Sequence, residues 1–263
     1  MRVEALIATM NQQDDSILER MNIRSDAFVV NQCDCFSWSE YESGGRHIRF
    51  LSVPERGVGL SRNTAFMRAR GDICLFSDDD LIYKDGYEKM LTDAFRRYPK
   101  ADVLVFNIHS LGERKKRCQI RRASRVRWFN FMHYGAARIA VRRESVQKKN
   151  IAFSLLFGGG AEYSSGEDTI FLHDCLKAGL RIYAVPVTLA DIDDSSSTWF
   201  RGYDDEFLSD KGALYGKMFG RLAPAPAIAY LLRHKNAWAH SGSIGKALRI
   251  MCRGMGGYGQ IRR

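Results

Sequence analysis

The chain has 263 residues, 45% of them hydrophobic and 27% charged, which is the make-up of an ordinary soluble globular protein large enough to bury a full core. No apolar run approaches the roughly 20 residues a membrane span needs, and the start, Met1-Arg2-Val3-Glu4-Ala5, has too short an apolar stretch for a signal peptide. Net charge is +10, with 40 Lys and Arg against 30 Asp and Glu, and the excess is local. Eight basic residues and no acid fall between Arg114 and Arg127, and nine and no acid between Lys217 and Arg263. Such stretches favour phosphate-bearing or anionic-membrane partners, beside the commoner outcome of a solvated face.

In chain order, residues 5–9 read as an apolar strand and 14–21 as a short helix. A second strand covers 27–30 and ends in Asn31-Gln32-Cys33-Asp34. A polar, glycine-bearing loop precedes a strand at 48–53. Residues 63–70 read as a helix stopped by Gly71, followed by a buried strand at 73–76 and a helix over 87–98 closed by Pro99. Residues 101–108 form the next strand, and the basic run 113–127 a surface insertion before the aromatics at 128–131 and a strand at 137–141. Gly158-Gly159-Gly160 lets backbone approach a ligand closely. A helix opens at 165–168 and stops at Gly179, and a strand covers 181–187. The alternation predicts an α/β fold with a mostly parallel sheet, helices on both faces and ligands at the carboxyl ends of the strands. The expected division is a main domain over 1–220 and a basic helical appendage over 221–263.

Thr9, Asn11, Asp34 and the triplet Asp78, Asp79 and Asp80 all fall at those strand ends. In extended chain Asp78 and Asp80 share a face while Asp79 points away. Two carboxylates that close repel unless a cation lies between them, and Mg2+ or Mn2+ commonly share such oxygens with substrate phosphates. The competing reading is an acidic turn, with one Asp capping the helix that begins near Asp85. The six cysteines contain no CxxC pair; Cys33 and Cys35 flank an Asp, weak metal spacing, and Cys74 and Cys175 fall on core faces, which suits the reducing cytosol.

The segment Arg56-Gly57-Val58-Gly59-Leu60-Ser61-Arg62-Asn63, then Gly71-Asp72-Ile73 and Phe76-Ser77-Asp78-Asp79-Asp80, resembles the donor half of family 2 glycosyltransferases. Gly166-Glu167-Asp168-Thr169 resembles the element that carries their catalytic base. The resemblance covers roughly residues 4–190. It implies the GT-A fold, a nucleotide-binding αβα sandwich, and inverting transfer of a sugar from a nucleotide-sugar donor, a UDP-sugar foremost, to a saccharide or lipid-linked acceptor in surface polysaccharide assembly. It also implies a Mn2+ or Mg2+ ion held by Asp80 with Asp78, Asp168 as base with Glu167 toward the acceptor, and donor contacts from Thr9, Asn11, Asp34, Arg62 and Asp79. Asn31-Gln32-Cys33-Asp34 departs from the family pattern, which leaves the nucleobase open. Asn63 also reads as a helix N-cap, Asp191, Asp193 and Asp194 as a solvated loop or part of a metal shell, and Ser197 to Phe200 as an acceptor lip or a core anchor.

Two other classes stay open. A sugar nucleotidyltransferase shares the sheet and the metal, but Met10-Asn11-Gln12-Gln13 lacks the glycine-rich, lysine-bearing loop such enzymes place there. A nucleic-acid-binding protein would use the basic runs, but no recognition fold is visible, so nucleic acid is not an expected partner. Residues 57–62 lack the third glycine of a dinucleotide fingerprint, residues 243–247 lack a P-loop's first glycine, and no HExxH pair occurs. The expected place of action is the cytoplasm, with peripheral contact at the inner membrane face.

Overall fold

The structure, a computed structural model, describes residues 1–112, 119–192 and 202–261. The first strands are β1 (Val3–Met10), β2 (Asp26–Gln32), β3 (Ser37–Ser43), β4 (Arg46–Val53), β5 (Ile73–Asp78) and β6 (Leu81–Tyr83). They are followed by β7 (Val103–Ser110), β8 (Ser124–Arg125), β9 (Ile139–Arg142) and β10 (Ile182–Ile192). One sheet holds them in the order β3-β4-β2-β1-β5-β9-β7-β10-β6, with β8 beside β10. The central β4-β2-β1-β5 block is parallel. β9 runs antiparallel between β5 and β7, and β7 and β10 are again parallel to each other.

The helices are α1 (Ile17–Arg20), α2 (Val58–Met67), α3 (Tyr87–Arg97), α4 (Arg143–Gln147), α5 (Glu167–Lys177), α6 (Asp205–Phe219), α7 (Pro224–Arg233) and α8 (Ile244–Ile261). Period-two alternation divides the apolar strand residues between two cores. Leu6, Phe28, Val30, Cys74 and Phe76 pack beneath α2, α5 and the C-terminal helices. Ala5, Ile7, Ala27, Val29, Ile73 and Leu75 pack beneath α1 and α3. Helices on both faces bury β1 almost completely, which is why its sequence is a continuous apolar run.

Three expectations change. Residues 37–43 are an antiparallel edge strand, not loop; Gly44 and Gly45, both at positive φ, make the two-residue turn of a hairpin between β3 and β4. α2 begins at Val58 behind Gly57 at φ 127°, so Asn63 lies inside the helix and is no N-cap. Instead its side-chain amide donates to Phe153 O and its oxygen accepts from Phe153 N, at 2.9 and 2.8 Å, standing in for a strand partner. Finally, α3 is capped by Gly86, so the aspartate triplet caps no helix.

α6 and α8 cross at glycines. A Cβ on Gly212 would fall 2.0 Å from Met251 O, and one on Gly254 2.0 Å from Ser209 O. Beyond residue 220, α7 and α8 fold back on α6 and share its core through Ala227, Leu231, Ala247 and Met251. From α6, Leu214 fills the space a side chain at Gly166 would need, so this layer buttresses the start of α5.

Candidate functional site

The carboxyl ends of β1 and β5 meet α2 and the first turn of α5 at one point, and Arg62 is its centre. Arg62 is 3% exposed. Its Nη1 donates to Glu167 Oε1 at 2.7 Å and its Nη2 to Asp78 Oδ1, so one guanidinium ties the end of β5 to the start of α5. Its plane lies over the Phe153 ring, 5.4 Å from the centroid, and Phe153 stacks on Phe171 of α5 at 4.4 Å. Burial lowers the guanidinium's affinity for its proton, but the two carboxylates outweigh burial and hold it above its ordinary value. Its Nε is buried and meets no acceptor among the described residues. Arg62, expected from the sequence to contact the donor, is buried here and bridges the two carboxylates.

Glu167 is committed in the same way. It is 7% exposed, and its second oxygen accepts from Gly166 N at 3.1 Å. Gly158, at φ 108°, makes the room: a Cβ there would lie 2.9 Å from the Glu167 carboxylate. In the glycine stretch, Gly158 gives its space to the Glu167 carboxylate. Glu167, expected from the sequence to face the acceptor, bonds Arg62 and Gly166 N here.

Asp168 is the chemically distinctive residue. It is half-buried beside Gly135, whose missing Cβ would stand 3.4 Å from Asp168 Oδ2. Burial first, and then the Glu167 charge, push its carboxyl up to about 7, against hydrogen bonds from Thr169 and the attraction of Arg62. Its charge in turn supports the Lys211 ammonium on α6, which burial drives down. A carboxylate poised near neutrality is suited to removing a proton from a hydroxyl.

The aspartates diverge instead of alternating. β5 ends at Asp78 and the next two residues turn, so the extended geometry that would put Asp78 and Asp80 on one face stops at Asp78. Asp79 accepts from Thr9 Oγ1 at 2.6 Å, and Thr9 accepts from Gln12 Nε2 at 3.0 Å. Thr9 is 2% exposed and its hydroxyl is taken up by Asp79. Asp80 is exposed in the turn. Asn11 is exposed at φ 54° just past β1. Asp34 is exposed on the β2 side and pairs with Arg56 at 2.6 Å. Asp191 lies within β10 and faces His109 Nδ1 at 3.1 Å and Lys84 Nζ at 3.9 Å. Asp193, Asp194 and Ser197 to Phe200 lie outside the described residues.

Among the described residues no three His, Cys, Asp or Glu side chains gather closely enough to enclose a metal alone. The carboxylate oxygens of Asp78 and Asp80 are the kind of ligand a hard divalent cation takes. Such ions usually take one or two carboxylates and complete their shell with water and phosphate.

Sequence reasoning overlooked Gln12, Asn31 and Gln32. Asn31 clamps Gln12 through two hydrogen bonds of 2.9 Å, and Gln32 Oε1 accepts from Gly57 N at 2.7 Å. Their signal was polar residues at the end of an otherwise apolar strand.

Residues 38–153 match the model of Glycosyl transferase family 2. No curated protein sequence matches the chain. Among solved structures, S. aureus TarS 1–349 in complex with UDP-GlcNAc superposes with a TM-score of 0.68 at 15% identity, over 98% of this chain and 80% of that one. The same protein in complex with UDP gives 0.63 at 16%, over 97% and 81%. At such identity the likeness is one of fold.

Proposed function

We propose, for a chain whose residues 38–153 match the model of Glycosyl transferase family 2, that it moves a sugar from a nucleotide-sugar donor, a UDP-sugar foremost, to a saccharide or lipid-linked acceptor in surface polysaccharide assembly. The observation that carries the reading is the bridge Asp78–Arg62–Glu167, which brings a carboxylate-bearing strand end next to the neutral-titrating Asp168. The fold shared with S. aureus TarS in complex with UDP-GlcNAc supports the donor class.

In this reading Asp168 takes the proton of the acceptor hydroxyl as it attacks the anomeric carbon, an assistance worth about 10²–10⁴ in rate. A single displacement of this kind inverts the anomeric centre. Asp80, with the oxygen of Asp78 that Arg62 leaves open, would hold Mn2+ or Mg2+. When bound, the cation supplies Lewis acidity to the departing diphosphate. Arg62 ties both carboxylates together and Thr9 holds Asp79. Asn11 and Asp34 flank the nucleoside side.

The test is turnover of UDP-, GDP- and dTDP-sugars with and without Mn2+, with the anomeric configuration of the product read by NMR. Asp168→Asn is expected to abolish transfer while UDP still binds. Asp80→Ala is expected to abolish the response to Mn2+. Undiminished transfer by Asp168→Asn, or a retained anomeric configuration, would sink the role given to Asp168.

A further inference from the structure

The Cys33-Asp34-Cys35 corner stands at the end of β2, on the nucleoside side of the site. The two sulfurs are 3.5 Å apart, and Cys33 Sγ also lies 3.4 Å from Cys35 O. Cys33 is 8% exposed and Cys35 exposed, so a reagent reaches the pair from one side. The other described cysteines differ: Cys74 and Cys175 are buried, with thiols that burial pushes up, and Cys252 is exposed on α8. At Cys33 burial acts the same way, but contacts with Cys35 and Ser52 and the Arg56 charge overcome it and favour the thiolate. Arg56 also grips the corner mechanically, donating from Nη1 to Cys33 O at 2.9 Å and from Nη2 to Asp34 at 2.6 Å. The next residue, Gly57, is the cap of α2, which carries Arg62.

The geometry points to a redox modification site: Cys33 and Cys35 close to a disulfide at the expense of a small-molecule disulfide, and closure weakens nucleotide binding. The second half rests on the nucleotide-sugar reading above. The Cys33 thiolate attacks one sulfur of the oxidant and expels a thiolate. The Cys35 thiolate then attacks Cys33 Sγ and expels the second. Two electrons pass to the oxidant, and the protons of the two cysteines end on the released thiols. The protein sulfurs need only shorten their separation to about 2.05 Å. The closed ring re-aims Asp34 away from Arg56 and loosens the entry to α2.

Oxidised glutathione is the probe. Trypsin releases both cysteines in one peptide, residues 25–46. In the parent protein that peptide should lose two hydrogens and regain them with dithiothreitol. Cys33→Ser and Cys35→Ser should each stop at a single glutathione adduct. By calorimetry the closed form should bind UDP about tenfold more weakly than the reduced form. A peptide that stays reduced, or that carries glutathione on both cysteines, overturns the site. Equal UDP affinity in the two forms overturns the coupling. If neither form binds UDP, the nucleotide-sugar reading fails, while the peptide mass still decides the disulfide.

Discussion

Asp168 and Arg62 take opposite burdens at the same corner. In the proposed role of base Asp168 must be ionised, so kcat/KM should rise with pH through about 7 and level above it. Its effect on folding has the reverse slope. The unfolded carboxyl titrates near 3.8 and the folded one near 7, so between those values the native state holds the extra proton. Stability therefore falls as pH rises across that window and is flat beyond it. Asp168→Asn should remove the slope and be more stable than the parent at about pH 8. The gain is on the order of 2 kcal/mol, below the full linkage value because the side chain is only half-buried. Urea unfolding at several pH values checks this, and parallel curves for the two proteins would refute it. Arg62 carries the complementary load. Arg62→Met leaves two carboxylates facing each other without a cation, at a cost of about 3–5 kcal/mol. Arg62→Lys keeps the charge but loses the fork that reaches both partners, so it should recover part of the stability and little of the transfer rate. Equal rates for Arg62→Lys and the parent would show that the bridge has no positioning role.

At the scale of elements, glycines decide how closely the parts approach. Gly212→Ala drives a Cβ onto Met251 O and Gly254→Ala onto Ser209 O, both backbone atoms that cannot swing away. Each should cost more than about 2 kcal/mol. Gly256→Ala, on the same helix with nothing within 4 Å, should instead stabilise by up to about 1 kcal/mol. Thermal melts of the three variants check the contrast; a uniform loss would mean that α8 is not seated as described. Because Leu214 rests on Gly166, the two crowding variants should also slow transfer, whereas Gly256→Ala should not. These crossings were not legible in the sequence, since no spacing rule tells which glycine meets a backbone and which meets water. What was legible followed from burial on two faces: β1, β2, β5 and β7 read as apolar runs, and the order of strand and helix gave the α/β sheet. β3 was lost because Ser37–Ser43 is an exposed edge with almost no apolar face, although Gly44-Gly45 signalled its turn. The start of α2 was misplaced because Gly57 and Gly59 look like loop, when one is a cap and the other the point where Ser154 O packs against the helix. Likewise the residue types of the site were visible, but not that Arg62 would consume Asp78 and Glu167. That pairing joins positions 105 residues apart.

For the whole molecule, the charge of +10 is the property that reaches farthest. Basic residues Arg221, Arg233 and Lys235 flank α7, and that helix is not dressed for water. Leu222, Ile228 and Leu232 are 75%, 41% and 64% exposed, and Ile228 and Leu232, four apart, share a face. No helix among the described residues is long and apolar enough to cross a membrane. A short apolar face rimmed by cations instead suits contact with an anionic bilayer surface, where each basic residue contributes about 1 kcal/mol and the buried leucines add more. That arrangement would bring the site to a lipid-linked acceptor held at the same surface. The protein should therefore sediment with phosphatidylglycerol-containing vesicles at low salt, be released as ionic strength rises, and ignore vesicles of neutral lipid. Leu232→Glu and the pair Arg233→Glu with Lys235→Glu should each cut binding by about tenfold or more, leaving turnover of a soluble acceptor unchanged. Screening acts on the charge term alone, so the leucine variant should reduce binding at every salt concentration and the charge-reversed pair mainly at low salt. Binding that is indifferent to lipid charge, or untouched by either variant, would move the contact away from α7.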